Sequence, residues 1–130
     1  MTIRVVRLGS PRAAGEGLRL GTVRRPPRGV PRSEFAKRDF YDVWLPALAP
    51  TQALLKASLP IADAPVWNAF TRKFLAEMKQ PHASQLLDAL AALSHQTNIS
   101  LGCYCEDESR CHRSLLRLLL EERGAALEPA

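Results

Sequence analysis

The clearest structural signal in the chain comes from residues 99–124, ISLGCYCEDESRCHRSLLRLLLEERG. The short apolar run at 99–103 predicts a buried β-strand. From residue 111 onward leucines recur at helical spacing, and Gly124 stands where helices commonly end, which predicts an amphipathic helix over 111–123. About eight residues join the end of this strand to the start of the helix, and such loops bind ligands in open α/β sheets.

The rest of the chain alternates strands and helices in the same way. β-Branched and apolar residues predict strands at 3–8 and 18–23. Helices are predicted after Thr51, Pro65 and Pro81, where each start is marked by a capping residue or a proline. We therefore predict the α/β class, as a single compact domain with a small parallel or mixed sheet flanked by helices.

Length and composition are those of one soluble globular domain. The chain has 130 residues, of which 46% are hydrophobic and 24% charged, so we place the domain at 1–124 and a short tail at 125–130. No run of about 18 apolar residues is present, and arginines interrupt the N-terminal apolar residues, which argues against a membrane span and a signal peptide. Three cysteines within nine residues suit reduced thiols and a cytoplasmic location rather than disulfides.

Positive charge is concentrated at the start of the chain. Residues 1–40 hold 10 Lys/Arg and 3 Asp/Glu, a net charge of +7, whereas residues 41–130 hold 8 and 10, a net charge of −2. Four arginines lie in RRPPRGVPR at 24–32, the arginine loop, whose prolines and glycine exclude regular structure. The basic residues either form a solvated surface or meet phosphate. Because no aromatic residues are interleaved for base stacking, a nucleic-acid-binding module is only the alternative.

Residues 103–114, which we call the cysteine segment, could bind a metal ion. This segment offers four suitable ligands: Cys103, Cys105, Cys111 and His112. Their spacing matches no common zinc pattern, however, and the adjacent Cys111 and His112 are not expected to reach one ion together. The sequence therefore disfavours a Cys/His metal site, which stays an alternative.

Three further interpretations concern the same segment. As a thiol site, Cys111 lies near a helix start beside His112 and Arg113, which favour the thiolate. As an anion site, His112, Arg113 and Ser114 join the free helix amides in holding a phosphate or carboxylate. In a purely structural interpretation, the three cysteines are small buried residues that pack in the core.

Three motifs resemble the signature blocks of the DUF488 family, a group of small bacterial proteins of unknown function. They are RRPPRGV at 24–30, FYDVWLPALAP at 40–50 and CYCEDESRCHRS at 103–114. The resemblance implies a compact α/β domain but no established reaction. The blocks place Arg25, Arg28 and Gly29 in one loop and Cys111, His112, Arg113 and Ser114 in another, and we predict that the fold brings the two loops to one pocket. Many relatives carry glutamate where this chain has Cys105, which weakens mechanisms that depend on Cys105.

We therefore predict an anion site in the strand-to-helix loop 103–114, for a small molecule bearing phosphate or carboxylate. If the protein is an enzyme, Cys111 is the nucleophile or His112 the acid/base. Arg28 and Arg113 then stabilise negative charge on the bound molecule. The predicted ligand-binding residues are Arg25, Arg28, Gly29, Cys103, Arg113 and Ser114. No cofactor and no metal ligand is assigned, and no membrane partner is expected. Trp44, beside leucine and proline, is predicted to lie in the core.

Overall fold

A four-stranded parallel sheet forms the centre of the molecule. The computed structural model describes residues 1–129. Its strands are β1 (Ile3–Arg7), β2 (Leu18–Gly21), β3 (Val43–Trp44) and β4 (Ile99–Cys103). Their order is β1-β4-β2-β3, and every pairing is parallel. The α/β class with a parallel sheet is confirmed.

Four helices accompany the sheet, and their starts follow the predicted signals. They are α1 (Gln52–Ser58), α2 (Ala64–Glu77), α3 (Pro81–Leu93) and α4 (His112–Glu122). Thr51 and Asp63 cap α1 and α2 by accepting hydrogen bonds from backbone amides of the first turn. Gly124 follows α4 with a φ of +76°, a conformation that favours glycine. No helix within residues 1–129 has the length and apolarity needed to cross a bilayer.

The apolar core divides into two clusters. The larger one packs the leucines of α4 and the aromatic residues of α2 against β4; Leu101, Leu116 and Phe74 are fully buried in it. The smaller one lies around the carboxyl end of the sheet and contains Leu8, Val23, Tyr41, Cys103 and Cys111. The candidate cysteines are therefore part of a packed cluster at the sheet edge where ligands bind in α/β folds.

A buried ion pair fixes the segment between β1 and β2. Arg19 is fully buried and binds both carboxylate oxygens of Glu16, with N–O distances of 2.8 and 2.9 Å. Its remaining nitrogen donates to the carbonyls of Ser10 and Asp39. The bidentate bond and the two carbonyls together offset the cost of removing both charges from water.

The segment after Gly124 pairs with β1. Ala126 accepts a hydrogen bond from the amide of Ile3, and Glu128 donates one to the carbonyl of Ile3. Leu127 packs against the larger core cluster. The predicted tail at 125–130 is therefore hydrogen-bonded to the edge of the sheet as far as residue 128. Residue 130 lies outside the described residues.

The prediction that Trp44 lies in the core is wrong. Trp44 is 44% exposed, because β3 is the edge strand of the sheet and has a neighbour on one side only. Its indole nitrogen donates to the carbonyl of Val23 at 2.8 Å. The side chain is therefore anchored by its polar end and leaves part of its ring surface to solvent.

Candidate functional site

The candidate site lies where the parallel strands end. β4 ends at Cys103, and the following loop runs to Cys111 at the start of α4. Beside it, β2 continues into Thr22, whose amide and hydroxyl both donate to the carbonyl of Gly102 at 2.9 Å. These bonds extend the contact between the two chain segments beyond the sheet and bring Thr22 to the start of α4.

Three thiols and one imidazole form the cysteine cluster, defined as Cys103, Cys105, Cys111 and His112. The sulfur atoms of Cys103 and Cys105 lie 3.8 Å apart, and the sulfur of Cys111 lies 3.7 Å from Nδ1 of His112. Cys103, Cys111 and His112 are buried, whereas Cys105 is exposed. The cluster thus has an interior part and one thiol that reaches solvent.

A backbone carbonyl orients the His112 ring. Nε2 of His112 lies 2.6 Å from the carbonyl oxygen of Thr22. Because a carbonyl only accepts hydrogen bonds, Nε2 carries a proton, and Nδ1 is the nitrogen that faces the sulfur of Cys111. The ring also packs edge-on against Phe74, with centroids 5.5 Å apart. His112 is therefore held so that Nδ1 can exchange a proton with Cys111.

Arg113 is a buried cation whose partner is a cysteine. It is only 3% exposed, and its Nε donates to the sulfur of Cys111 at 3.4 Å. A terminal nitrogen donates to the carbonyl of Cys105 at 2.6 Å. Among residues 1–129 no carboxylate lies within 4.0 Å of its guanidinium. Since a buried cation requires a counter-charge, this geometry favours a Cys111 thiolate.

The neighbouring thiols act in the same direction. Hydrogen bonds from Cys103 and Cys105, and then the contact with His112, lower the pKa of Cys111 although burial opposes the shift. The same hydrogen bonds to Cys105 and Cys111, together with burial, raise the pKa of Cys103. Cys111 is the residue before the first turn of α4, where the helix dipole also favours negative charge. These contacts favour Cys111 as the thiol of the cluster that loses its proton.

The same atoms could hold a metal ion. One ligand atom each of Cys103, Cys111 and His112 lie within 4.8 Å of one another. The expectation that adjacent Cys111 and His112 do not reach one point is wrong. Cys111 has extended backbone, with φ −123° and ψ 149°, whereas His112 begins the helix, so the two side chains converge. Because Nε2 is engaged by Thr22, Nδ1 would be the ligand atom.

Ser114 and Gly29, both predicted anion ligands, serve the backbone. The Ser114 hydroxyl donates to the carbonyl of Cys111 at 2.9 Å and so closes the first turn of α4. Gly29 has a φ of +69°, in the left-handed region, which explains the glycine in the Pro-Arg-Gly turn. Both residues shape the loops in which the predicted site residues lie.

The arginine loop meets the cysteine segment through its backbone. The hydroxyl of Tyr104 donates to the carbonyl of Arg25 at 2.9 Å. Arg25 and Arg28 are exposed, and within the described chain their side chains form neither hydrogen bonds nor ion pairs. The structure thus brings the two loops together at Tyr104 and leaves both guanidinium groups free at the surface.

Part of the N-terminal positive charge is structural. Arg19 is bound by Glu16, Arg12 pairs with Asp42 at 2.9 Å, and Arg24 donates to the carbonyls of Pro46, Ala49 and Pro50. These three side chains are committed to the fold. The basic surface available to nucleic acid is correspondingly smaller than the charge count of residues 1–40 indicates.

The comparison with known families agrees with the three motifs. The family model DUF488-N3a, described as the active DUF488-N3 subclade, matches residues 3–124. The chain belongs to the DUF488-N3a family. The DUF488 membership expected from the motifs is thereby confirmed. No curated protein matches the chain, and no solved structure matches it.

Two residues of this DUF488-N3a site escaped the sequence interpretation. Thr22 orients His112 from a position 90 residues earlier in the chain, and a threonine after a strand carries no signal of that role. Tyr41 packs in the cluster that contains Cys103 and Cys111. Its position inside the motif at 40–50, one of the three motifs that resemble the family, was the available signal.

Proposed function

We propose that this DUF488-N3a protein is an enzyme that acts on an anionic small molecule through the thiolate of Cys111. The observation that carries the proposal is the contact between buried Arg113 and the Cys111 sulfur, with no carboxylate within 4.0 Å of that guanidinium in residues 1–129. A thiolate held in this way is a nucleophile that needs no further activation. The description of the family as an active subclade supports catalysis.

Each residue of the site then has a role. The Cys111 thiolate forms a bond to an electrophilic atom of the substrate as the bond from that atom to the leaving group breaks. His112, whose Nδ1 lies 3.7 Å from the sulfur and takes up the proton that Cys111 gives up, donates this proton to the leaving group. Water then hydrolyses the covalent intermediate and releases Cys111. Arg113 holds the thiolate and is a positioning residue. Arg25 and Arg28 attract the anionic substrate from the surface of the arginine loop.

Access to the buried Cys111 requires a small movement of the loop at 104–110. An exposed ion pair between Arg7 and Glu106 fastens this loop to β1 at 3.3 Å. Exposed pairs of this kind contribute only about 0–1 kcal/mol. Opening of the loop also separates the carbonyl of Cys105 from Arg113, which donates to it at 2.6 Å. Cys105 is exposed and marks the side from which the substrate enters.

Protection from alkylation tests the proposal. Inorganic phosphate at millimolar concentration is expected to slow the reaction of Cys111 with iodoacetamide by about fivefold or more, because a bound anion covers the sulfur. Mass spectrometry of the peptides separates Cys111 from Cys103 and Cys105. The double variant Arg25→Gln/Arg28→Gln is expected to lose this protection, whereas the matched exposed variant Arg38→Gln keeps it. Equal alkylation rates with and without phosphate in the wild-type protein would contradict anion binding at this site.

A structural metal site is the second candidate, and the 4.8 Å grouping of Cys103, Cys111 and His112 favours it. Zinc would take two thiolates and one imidazole nitrogen from this set, and the Cys105 sulfur lies 3.8 Å from that of Cys103. In that case the protein purifies with about one equivalent of zinc, and none of the ligating thiols is alkylated until the zinc is removed. Metal-free protein with a reactive Cys111 favours the enzyme.

The cytoplasm is the compartment that suits this site. All three cysteines are free thiols, and the proposed chemistry needs Cys111 in its reduced form. A reducing compartment maintains that state, whereas an oxidising one would join thiols that lie less than 4 Å apart.

A further inference from the structure

A second feature of the molecule is a groove beside β3. It has a volume of about 510 Å³, and its walls include Trp44, Phe35, Tyr41, Pro26 and Arg32. We call this feature the aromatic groove. Its volume lies within the range of small-molecule sites, which is roughly 300–1,000 Å³. Aromatic walls beside a cation are suited to a ligand that carries both a planar ring and a negatively charged group.

The charge balance of the groove is positive. Arg32 is exposed, and in the described part of the chain its guanidinium forms no hydrogen bond or ion pair. Asp42 is the one acidic side chain of the lining, and it is already occupied. Arg12 binds both of its oxygens, at 2.9 and 3.2 Å, and the amide of Arg19 donates to it at 2.8 Å. An anion entering the groove therefore meets Arg32 and a neutralised carboxylate.

Tyr41 connects the groove to the cysteine cluster. It lines the groove and packs in the same apolar cluster as Cys103 and Cys111. Gly21 makes this position available, because a Cβ at residue 21 would lie 2.3 Å from the Tyr41 ring. The Tyr41 hydroxyl is buried and, among residues 1–129, has no hydrogen-bond partner. Such a group favours a ligand that supplies the missing partner.

We propose that the aromatic groove binds a nucleotide, with the base against Trp44 and the phosphate at Arg32. Arg25 precedes Pro26 of the lining, and its carbonyl accepts a hydrogen bond from Tyr104, so the arginine loop runs between the groove and the cysteine segment. This inference rests on the proposed function, because it names the substrate class of the site at Cys111. The arginine loop itself contains no aromatic residue, and the aromatic walls of the groove come from residues 35–44.

Trp44 can report the binding directly. The chain has two tryptophans, so replacement of Trp67 by Phe leaves Trp44 as the only indole fluorophore. We expect AMP, GMP, CMP or UMP to quench Trp44 fluorescence, and at least one of them to bind about tenfold or more tightly than both its nucleoside and ribose 5-phosphate. Calorimetry on the wild-type protein gives the same affinities without the reporter.

Two variants and a matched control test the contacts. Trp44→Leu removes the stacking surface and Arg32→Gln removes the cation; each is expected to weaken nucleotide binding about tenfold. Arg38→Gln changes an exposed arginine outside the groove lining and is expected to leave binding unchanged. Thermal unfolding checks that the variants fold. Unchanged nucleotide affinity in folded Trp44→Leu and Arg32→Gln overturns the proposal.

The remaining outcomes are equally decisive. Ribose 5-phosphate binding as tightly as the nucleotides would show a site for anions alone. A single-stranded oligonucleotide binding about 100-fold more tightly than any mononucleotide would show a nucleic-acid-binding surface instead. Absence of binding by every probe at millimolar concentration overturns the groove but leaves a reactive Cys111 standing. Nucleotide binding that persists in Cys111→Ser, together with an unreactive wild-type Cys111, supports the groove and contradicts the proposed enzyme.

Discussion

Replacement of Arg19 by Met is expected to lower the free energy of unfolding by about 3–5 kcal/mol, because it leaves the carboxylate of Glu16 buried without its partner. Glu16 is 4% exposed and Arg19 is fully buried, so water cannot take over the lost bonds. The variant also removes donors from the carbonyls of Ser10 and Asp39. Urea unfolding at neutral pH measures the difference.

The double variant Glu16→Leu/Arg19→Met is the control for this prediction. It removes both charges, and replacement of a buried ion pair by apolar residues is often nearly neutral. We expect it to recover most of the stability lost in Arg19→Met. If Arg19→Met unfolds at the same urea concentration as the wild-type protein, the buried pair does not stabilise the native state.

The same pair predicts a pH dependence of stability. The pKa of Glu16 is lowered from its ordinary value of 4.5, because, although burial opposes ionisation, the hydrogen bonds from Arg19 and Ala13 outweigh it. A carboxyl whose pKa is lower in the folded state stabilises the fold above its unfolded-state pKa, and this contribution is lost as pH falls through the folded-state value. Stability of the wild-type protein therefore decreases below about pH 4.5, and part of this decrease is absent from the double variant.

The second large effect is expected from Arg113→Met, which should move the pH at which alkylation of Cys111 falls to half its maximal rate upward by about 1–3 units. Loss of an adjacent opposite charge shifts a pKa by about 1–3 units, and each unit reduces the thiolate fraction about tenfold below the pKa. The guanidinium contacts the sulfur at 3.4 Å, so its removal favours the neutral thiol. Peptide mapping after timed reactions with iodoacetamide over a range of pH gives the rate constants for Cys111.

Arg110→Gln is the matched control for Arg113→Met. Arg110 is exposed and lies just before Cys111 in the chain, so its charge is screened by water. We expect a change in the Cys111 rate constant of less than about twofold. The same half-maximal pH in Arg113→Met and the wild-type protein would show that Arg113 does not hold a thiolate.

Local signals in the sequence were sufficient for most of the secondary structure. Thr51, Asp63 and Pro81 mark helix starts because capping and proline geometry act within one turn. The short strand β3 was not foreseen as a strand, since only two residues pair and their partners lie in β2. Trp44 was assigned to the core for the same reason: an edge position follows from strand order, which local patterns do not contain.

The candidate site was located from residue types, but its geometry required the fold. Cys111, His112 and Arg113 stand together in the chain, so their common site could be predicted. The proton on Nε2 of His112 depends on Thr22, which is distant in sequence. Arginines are seldom fully buried, so the burial of Arg19 within a strand was not expected. Its partner Glu16 lies in the preceding loop, and the pair forms only when that loop folds against the strand.

The most direct test of the account is the thiolate absorbance of the wild-type protein compared with that of Cys111→Ser. We predict that the wild-type spectrum exceeds that of the variant by the ultraviolet absorbance of one thiolate from about pH 5 to about pH 8. Cys103 adds nothing in this range because its pKa is raised by its hydrogen bonds and by burial. Identical spectra up to about pH 8 would show that Cys111 is an ordinary buried thiol and would contradict the proposed site.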